Sequence, residues 1–152
     1  DKLVKRCEII DIGKQTTLTE FFRIVAKKLA KRLNIDERQL LNSLTAREKE
    51  TTTVIRPGLA IPHITIEGKH KFELIMARCE AGINFTEELP PVYAAFILVG
   101  SPDERNFHLR ALSAIAQIVQ DIDFDKDWLR AKNIEELRDI ILLAKRHRKK
   151  EL

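Results

Sequence analysis

His63 directly follows a proline in Gly58-Leu59-Ala60-Ile61-Pro62-His63. An imidazole with an ordinary pKa of about 6.5 can attack phosphorus through one ring nitrogen when the other is held by a hydrogen bond. Pro62 fixes its own φ and drives Ile61 into an extended conformation, while Gly58 admits a close or left-handed approach. His63 is therefore expected at a rigid strand end, where ligands of α/β sheets gather. His108 is the second candidate: it stands in register with Leu112, Ile115 and Val119 on a helical stripe. It reads either as a core histidine satisfied by a backbone carbonyl or, near a helix N-terminus, as an aid to anion binding. Arg47, near a helix C-terminus, is either a solvated cation matched to the helix dipole or a fork of donors for phosphoryl oxygens.

The elements that must position these groups follow from periodicity and caps. Cys7 to Ile12 reads as a strand, and Thr17-Leu18-Thr19-Glu20 has the spacing of a capping box before a helix running to about Leu33. Asp36 opens a second helix ending near Glu50. From Thr51 to Ile66, β-branched residues mixed with Pro57-Gly58 and Pro62 predict loop, short strand, loop. Phe72 to Cys79 and Val92 to Val99 are compact apolar runs, expected as buried strands. Asp103 or Asn106 is expected to cap a helix carrying Leu109, Leu112, Ile115, Ala116 and Val119. A short helix over Phe124 to Ala131 follows, and Asn133 opens the last one. Helices interleaved with buried strands imply a single layered α/β domain, a mixed, mostly parallel sheet with helices on both faces.

Composition narrows the classes of function. A chain of 152 residues with 44% hydrophobic content supports one core, and a net charge of +4 spread among mixed signs is no polyelectrolyte signature. No apolar run approaches the ~20 residues of a membrane helix, so a domain with no direct membrane insertion, in the cytoplasm, is expected. Cys7 and Cys79, far apart and without a CxxC, fit a reducing compartment and read as small buried apolar residues. Lys145 to Lys150 is a basic run without interleaved aromatics, read as a solvated helix end; no nucleic acid partner is expected. His63, His70, His108 and His147 lack ligand spacing, so no metal is expected.

Arg47-Glu48, Thr52-Thr53, the Gly58 to His63 motif, Gly82-Ile83-Asn84-Phe85, the run Val92 to Val99 and His108-Leu109 together resemble the fructose and mannitol type of phosphotransferase enzyme IIA, which includes nitrogen-regulatory proteins. The resemblance spans nearly the whole chain, giving an enzyme IIA-like domain over residues 1–145 and a basic tail over 146–152. It implies that His63 accepts a phosphoryl group from the histidine phosphocarrier protein, with Arg47 and His108 beside it and no cofactor. Thr52, Thr53 and Arg56 become candidate phosphate-binding residues. The family usually has Ser/Thr-Thr-Gly-Ile-Gly where this chain has Thr52-Thr53-Val54-Ile55-Arg56, so both glycines are replaced. Arg56 then either supplies a cation to the site or is a surface arginine. The chain also resembles enzyme IIA-like domains appended to membrane transporters and antiporters. That implies a second function, regulation of a transporter without turnover, and a domain tethered to the inner face of a membrane.

Overall fold

The structure, a computed structural model, describes the backbone of residues 2–151 and the side chains of residues 4–144. The side chains of the basic run at 145–150 lie outside the described residues. In chain order the elements are α1 (Lys2–Arg6), β1 (Glu8–Ile12), β2 (Thr16–Thr17), α2 (Leu18–Leu33), α3 (Glu37–Glu50), β3 (Val54–Arg56), β4 (Leu59–Ala60) and β5 (His63–Thr65). There follow β6 (Phe72–Asn84), β7 (Val92–Gly100), a 3-10 turn (Pro102–Glu104), α4 (Arg105–Val119), α5 (Phe124–Arg130) and α6 (Ile134–Glu151).

Local signals set most of these boundaries. Thr17 Oγ1 accepts the Glu20 N–H at 3.1 Å and the Glu20 carboxylate reaches back to Thr17, completing the capping box of α2. Asp36 caps α3 through the Gln39 N–H at 2.9 Å, and Asn133 caps α6 through the Glu136 N–H at 2.9 Å. At α4 the expectation fails, because neither Asp103 nor Asn106 caps it. The Asp103 carboxylate accepts instead from Ser101 Oγ (2.5 Å) and the His70 N–H (2.9 Å), which ties the turn before α4 to the loop leading into β6.

The sheet runs β1-β6-β7-β4-β3, with β2 also on β6 and β5 also on β7. It is mixed, as expected: β1 and β2 lie parallel to β6, and β4 and β5 parallel to β7. Its longest pairing, β6 with β7, is antiparallel. Only residues 85–91 separate those strands, too short a connection for the crossover of a dozen or more residues that parallel neighbours need.

Side-chain alternation along β7 sends its residues to two cores. Ala95, Ile97 and Val99 pack with Phe21, Phe22, Val25, Leu29, Leu40 and Leu44 of α2 and α3. Ala94, Phe96 and Leu98 pack with Ala111, Ile115, Phe124, Trp128, Leu137 and Ile141 of α4, α5 and α6. Helices thus cover both faces. Cys7 and Cys79 are buried free thiols, and burial pushes the Cys7 thiol up to about 11, which keeps it protonated and unreactive at neutral pH. Among the described residues no helix is long and apolar enough to cross a membrane.

Candidate active site

The site forms where the edge of the sheet is interrupted. Pro57-Gly58 turns β3 into β4, with Gly58 at φ 88° as the third residue of such a turn requires. A Cβ on Gly58 would stand 3.3 Å from the Tyr93 ring, so side chain and backbone both favour glycine here. Ile61-Pro62 then interrupts the pairing of β4 with β7, and β5 resumes parallel pairing on β7, His63 opposite Leu98 and Ile64 opposite Val99. Leu98 faces the α4 side and Val99 the α2 and α3 side. His63 therefore emerges on the α4 side, near the carboxyl end of β7, as the first residue of β5 rather than beyond the carboxyl end of a strand at 59–61.

On that side His108, in the first turns of α4, meets it edge to face with ring centroids 5.8 Å apart. Arg47 arrives from the last turn of α3, on the opposite face, and the three side chains line one open cleft with Ser43, Ala46, Glu50, Ile64, Thr65 and a volume of about 510 Å³. Sequence reasoning missed Ser43, Glu50 and Thr65. Helical spacing from Arg47 reaches Ser43 and Glu50, but only the pairing of β5 with β7 brings Thr65 to the same cleft.

Two details define the chemistry. His63 Nδ1 lies 2.6 Å from the Ile61 carbonyl oxygen. A carbonyl can only accept, so Nδ1 carries the proton and Nε2 holds the free lone pair. Arg47 spends one Nη1–H on the Thr51 carbonyl at 2.8 Å, which orients the guanidinium and leaves its other donors for a ligand. His108 is half-buried, and its pKa is depressed first by desolvation and second by repulsion from His63.

A pH dependence follows from that depression. The unfolded chain protonates at His108 from about pH 6.5 downward, and the folded chain only at lower pH. His108 thus subtracts stability as pH falls from about 6.5 through its lower folded value and has no effect above it. By NMR titration its midpoint is expected below 6.5. A midpoint at or above 6.5 would contradict the arrangement.

The other candidates are placed differently. The hydroxyls of Thr52 and Thr53 donate to the Glu48 carboxylate at 2.8 and 2.5 Å, and neither residue lines the cleft. Arg56 is at the far end of the edge: β4 pairs Leu59 with Ala94, whereas His63 pairs with Leu98, four residues or about 13 Å further along β7. Its guanidinium donates to the Val119 carbonyl at 2.8 Å and to Asp125 at 2.7 Å. It is neither a cation of the cleft nor an idle surface arginine, but a tie between the β3–β4 hairpin and the ends of α4 and α5. Arg56→Gly is accordingly expected to cost about 2 kcal/mol in denaturant unfolding, mostly the charged hydrogen bond to Val119, without altering the cleft. On α4 itself, Leu109 and Ala116 are exposed, and the buried stripe runs through Ala111, Ile115, Ile118 and Val119.

A mixed sheet covered by helices on both faces, with His63, His108 and Arg47 lining one cleft where β4 gives way to β5, defines a small layered α/β domain. The chain belongs to the family described as phosphoenolpyruvate-dependent sugar phosphotransferase system, EIIA 2, whose model matches residues 5–143. A nitrogen regulatory protein of Bradyrhizobium diazoefficiens is 29% identical over 120 residues, covering 78% of each chain. The fructose-specific EIIABC component of Bacillus subtilis is 25% identical over 129 residues, which are 84% of this chain and 20% of that one, so this chain spans a fifth of that relative. Nitrogen regulatory protein IIA-Ntr from Neisseria meningitidis shares the fold with a TM-score of 0.76 at 22% identity, covering 91% of this chain and 94% of that one. The mannitol enzyme IIA of Escherichia coli, solved in complex with phosphorylated mannitol enzyme IIB, has a TM-score of 0.71 at 20% identity over 88% of this chain and 93% of its own.

Proposed function

We propose that the protein is a phosphoryl carrier in which His63 Nε2 accepts the group from a phosphohistidine of the histidine phosphocarrier protein. The observation that carries this reading is the 2.6 Å contact of His63 Nδ1 with the Ile61 carbonyl, in a ring that shares its cleft with Arg47 and His108. Nε2 forms a bond to phosphorus as the donor's P–N bond breaks, and the donor ring leaves with that electron pair. Positive charge developing on the His63 ring is held by the Ile61 carbonyl. Arg47 and His108 balance the charge spread over the transferring oxygens, which is the main task of a phosphoryl-transfer site. Thr52, Thr53 and Arg56 have no direct part in this reading. The domain would serve transport or its regulation, free in the cytoplasm or tethered to a membrane transporter. Incubation with the phosphocarrier system should place acid-labile phosphate on His63. Absence of label where a standard enzyme IIA is labelled would overturn the proposal.

A second reading rests on one observation, the replacement of two glycines by Val54 and Arg56 in a segment that is here a paired strand. A stiffened wall with its threonine donors engaged suits a domain that binds an anion or partner in the same cleft. Such a domain would bias a transporter, of amino acid or cation/proton antiporter type, without turnover. Under it, inorganic phosphate perturbs the His63 and His108 resonances while no label is taken up.

A further inference from the structure

Glu48 is a carboxylate with only 8% of its surface exposed, in the last turn of α3. Burial of such a group is costly unless donors satisfy it, and Glu48 has three. Its Oε2 accepts from Thr52 Oγ1 and the Thr53 N–H, each at 2.8 Å, and its Oε1 accepts from Thr53 Oγ1 at 2.5 Å. The backbone of Thr53 is thereby fixed from both its amide and its side chain. Its carbonyl accepts the Ile61 N–H at 3.0 Å, and the Ile61 carbonyl is the atom that receives the His63 Nδ1–H. Between them Pro62 has no N–H to offer, and its carbonyl accepts from the Leu98 N–H at 3.0 Å. Ile61-Pro62-His63 is therefore gripped on one side by β7 and on the other by Thr53 alone of the residues just named.

We infer that Glu48 is a positioning residue for the nucleophile: acting through Thr53 and Ile61, it aims the Ile61 carbonyl at Nδ1 and so keeps the free lone pair on Nε2. The inference rests on the phosphoryl-carrier reading for its functional consequence, but its structural content stands apart from that. It also assigns the two threonines a purpose, as the means by which the carboxylate holds the loop.

The test is the tautomer of His63, read from two-bond nitrogen–proton correlations in the full chain labelled at histidine, together with the initial rate of phosphorylation. Wild type is expected to show Nδ1–H. Glu48→Gln, whose amide nitrogen cannot accept, should lose part of the Thr53 network, shift the population toward Nε2–H and slow labelling by about ten- to a hundredfold. Glu48→Asp retains an acceptor on a shorter arm and should recover part of both. Thr53→Val keeps the amide donor and removes only the hydroxyl. It should give a smaller shift and serves as the reading if Glu48→Gln does not fold. An unchanged Nδ1–H signature in folded Glu48→Gln, or in Thr53→Val if that variant is the one that folds, overturns the inference. Because the tautomer needs no donor protein, an unlabelled wild type whose tautomer responds to Glu48 would defeat the carrier reading and leave this one standing. A labelled wild type indifferent to Glu48 would do the reverse.

Discussion

His63→Gln is expected to abolish phosphorylation while leaving the fold intact. The side chain is half-buried, and the backbone around it is held by pairings that the substitution does not touch: the Pro62 carbonyl on the Leu98 N–H, the Ile61 N–H on Thr53, and β5 on β7. Glutamine can still offer an N–H to the Ile61 carbonyl, but it has no ring nitrogen with a lone pair for phosphorus. The loss should be of the whole activity, because nucleophilic catalysis has no substitute for its nucleophile, whereas His108→Ala should leave a residual rate lower by about a hundred- to a thousandfold. Mass spectrometry of the labelled chain and a denaturant midpoint on the same sample check both halves. Residual label on His63→Gln at the wild-type rate would move the acceptor elsewhere, with His108 the first place to look.

The largest effect on stability is expected at Arg78, which is 3% exposed in the middle of β6. Register places it opposite Asp11 of β1, and its Nε and Nη2 meet the two Asp11 oxygens at 2.7 Å each. Its Nη1 donates to the carbonyls of Trp128 (2.9 Å) and Ala131 (2.6 Å), where α5 ends and the chain turns toward α6. One side chain thus joins two strands to the helical layer behind them. Arg78→Ala leaves those carbonyls and part of Asp11 without donors, for an expected loss of about 3–5 kcal/mol by chemical denaturation. The cleft lies elsewhere, so labelling per folded molecule should be unchanged. A loss below about 1 kcal/mol would mean that water or rearrangement satisfies these groups.

Much of the fold was legible because its signals are local. The capping box at Thr17, the Asp36 and Asn133 caps and the apolar run of β7 lie within a few residues of what they specify. The composition from Thr51 to Ile66 predicts a single short strand between loops, whereas the segment contains three, each of two or three residues. β4 is defined by pairing with both nearby β3 and distant β7, and β5 by pairing with distant β7. Arg56 was ambiguous for the same reason, since its partners lie 63 and 69 residues away. Glu48 differs: its donors are four and five residues ahead, so a buried acid in the last helical turn followed by Thr-Thr was a signal within reach. At the site, His63 opens β5 instead of following the carboxyl end of a strand at 59–61, because Ile61-Pro62 separates two short strands that both pair with β7. The pairing of His63 with His108 needed the register of β5 on β7 and the docking of α4 over it.

The carrier proposal turns on one atom, Nε2 of His63, as the point of phosphoryl attachment. Nitrogen–phosphorus couplings in histidine-labelled protein phosphorylated by the phosphocarrier system test it most directly. One phosphorylated ring is expected, that of His63, bonded through Nε2 and with Nδ1 still protonated toward Ile61. A phosphoryl group on Nδ1, on His108, or on no histidine at all would contradict it.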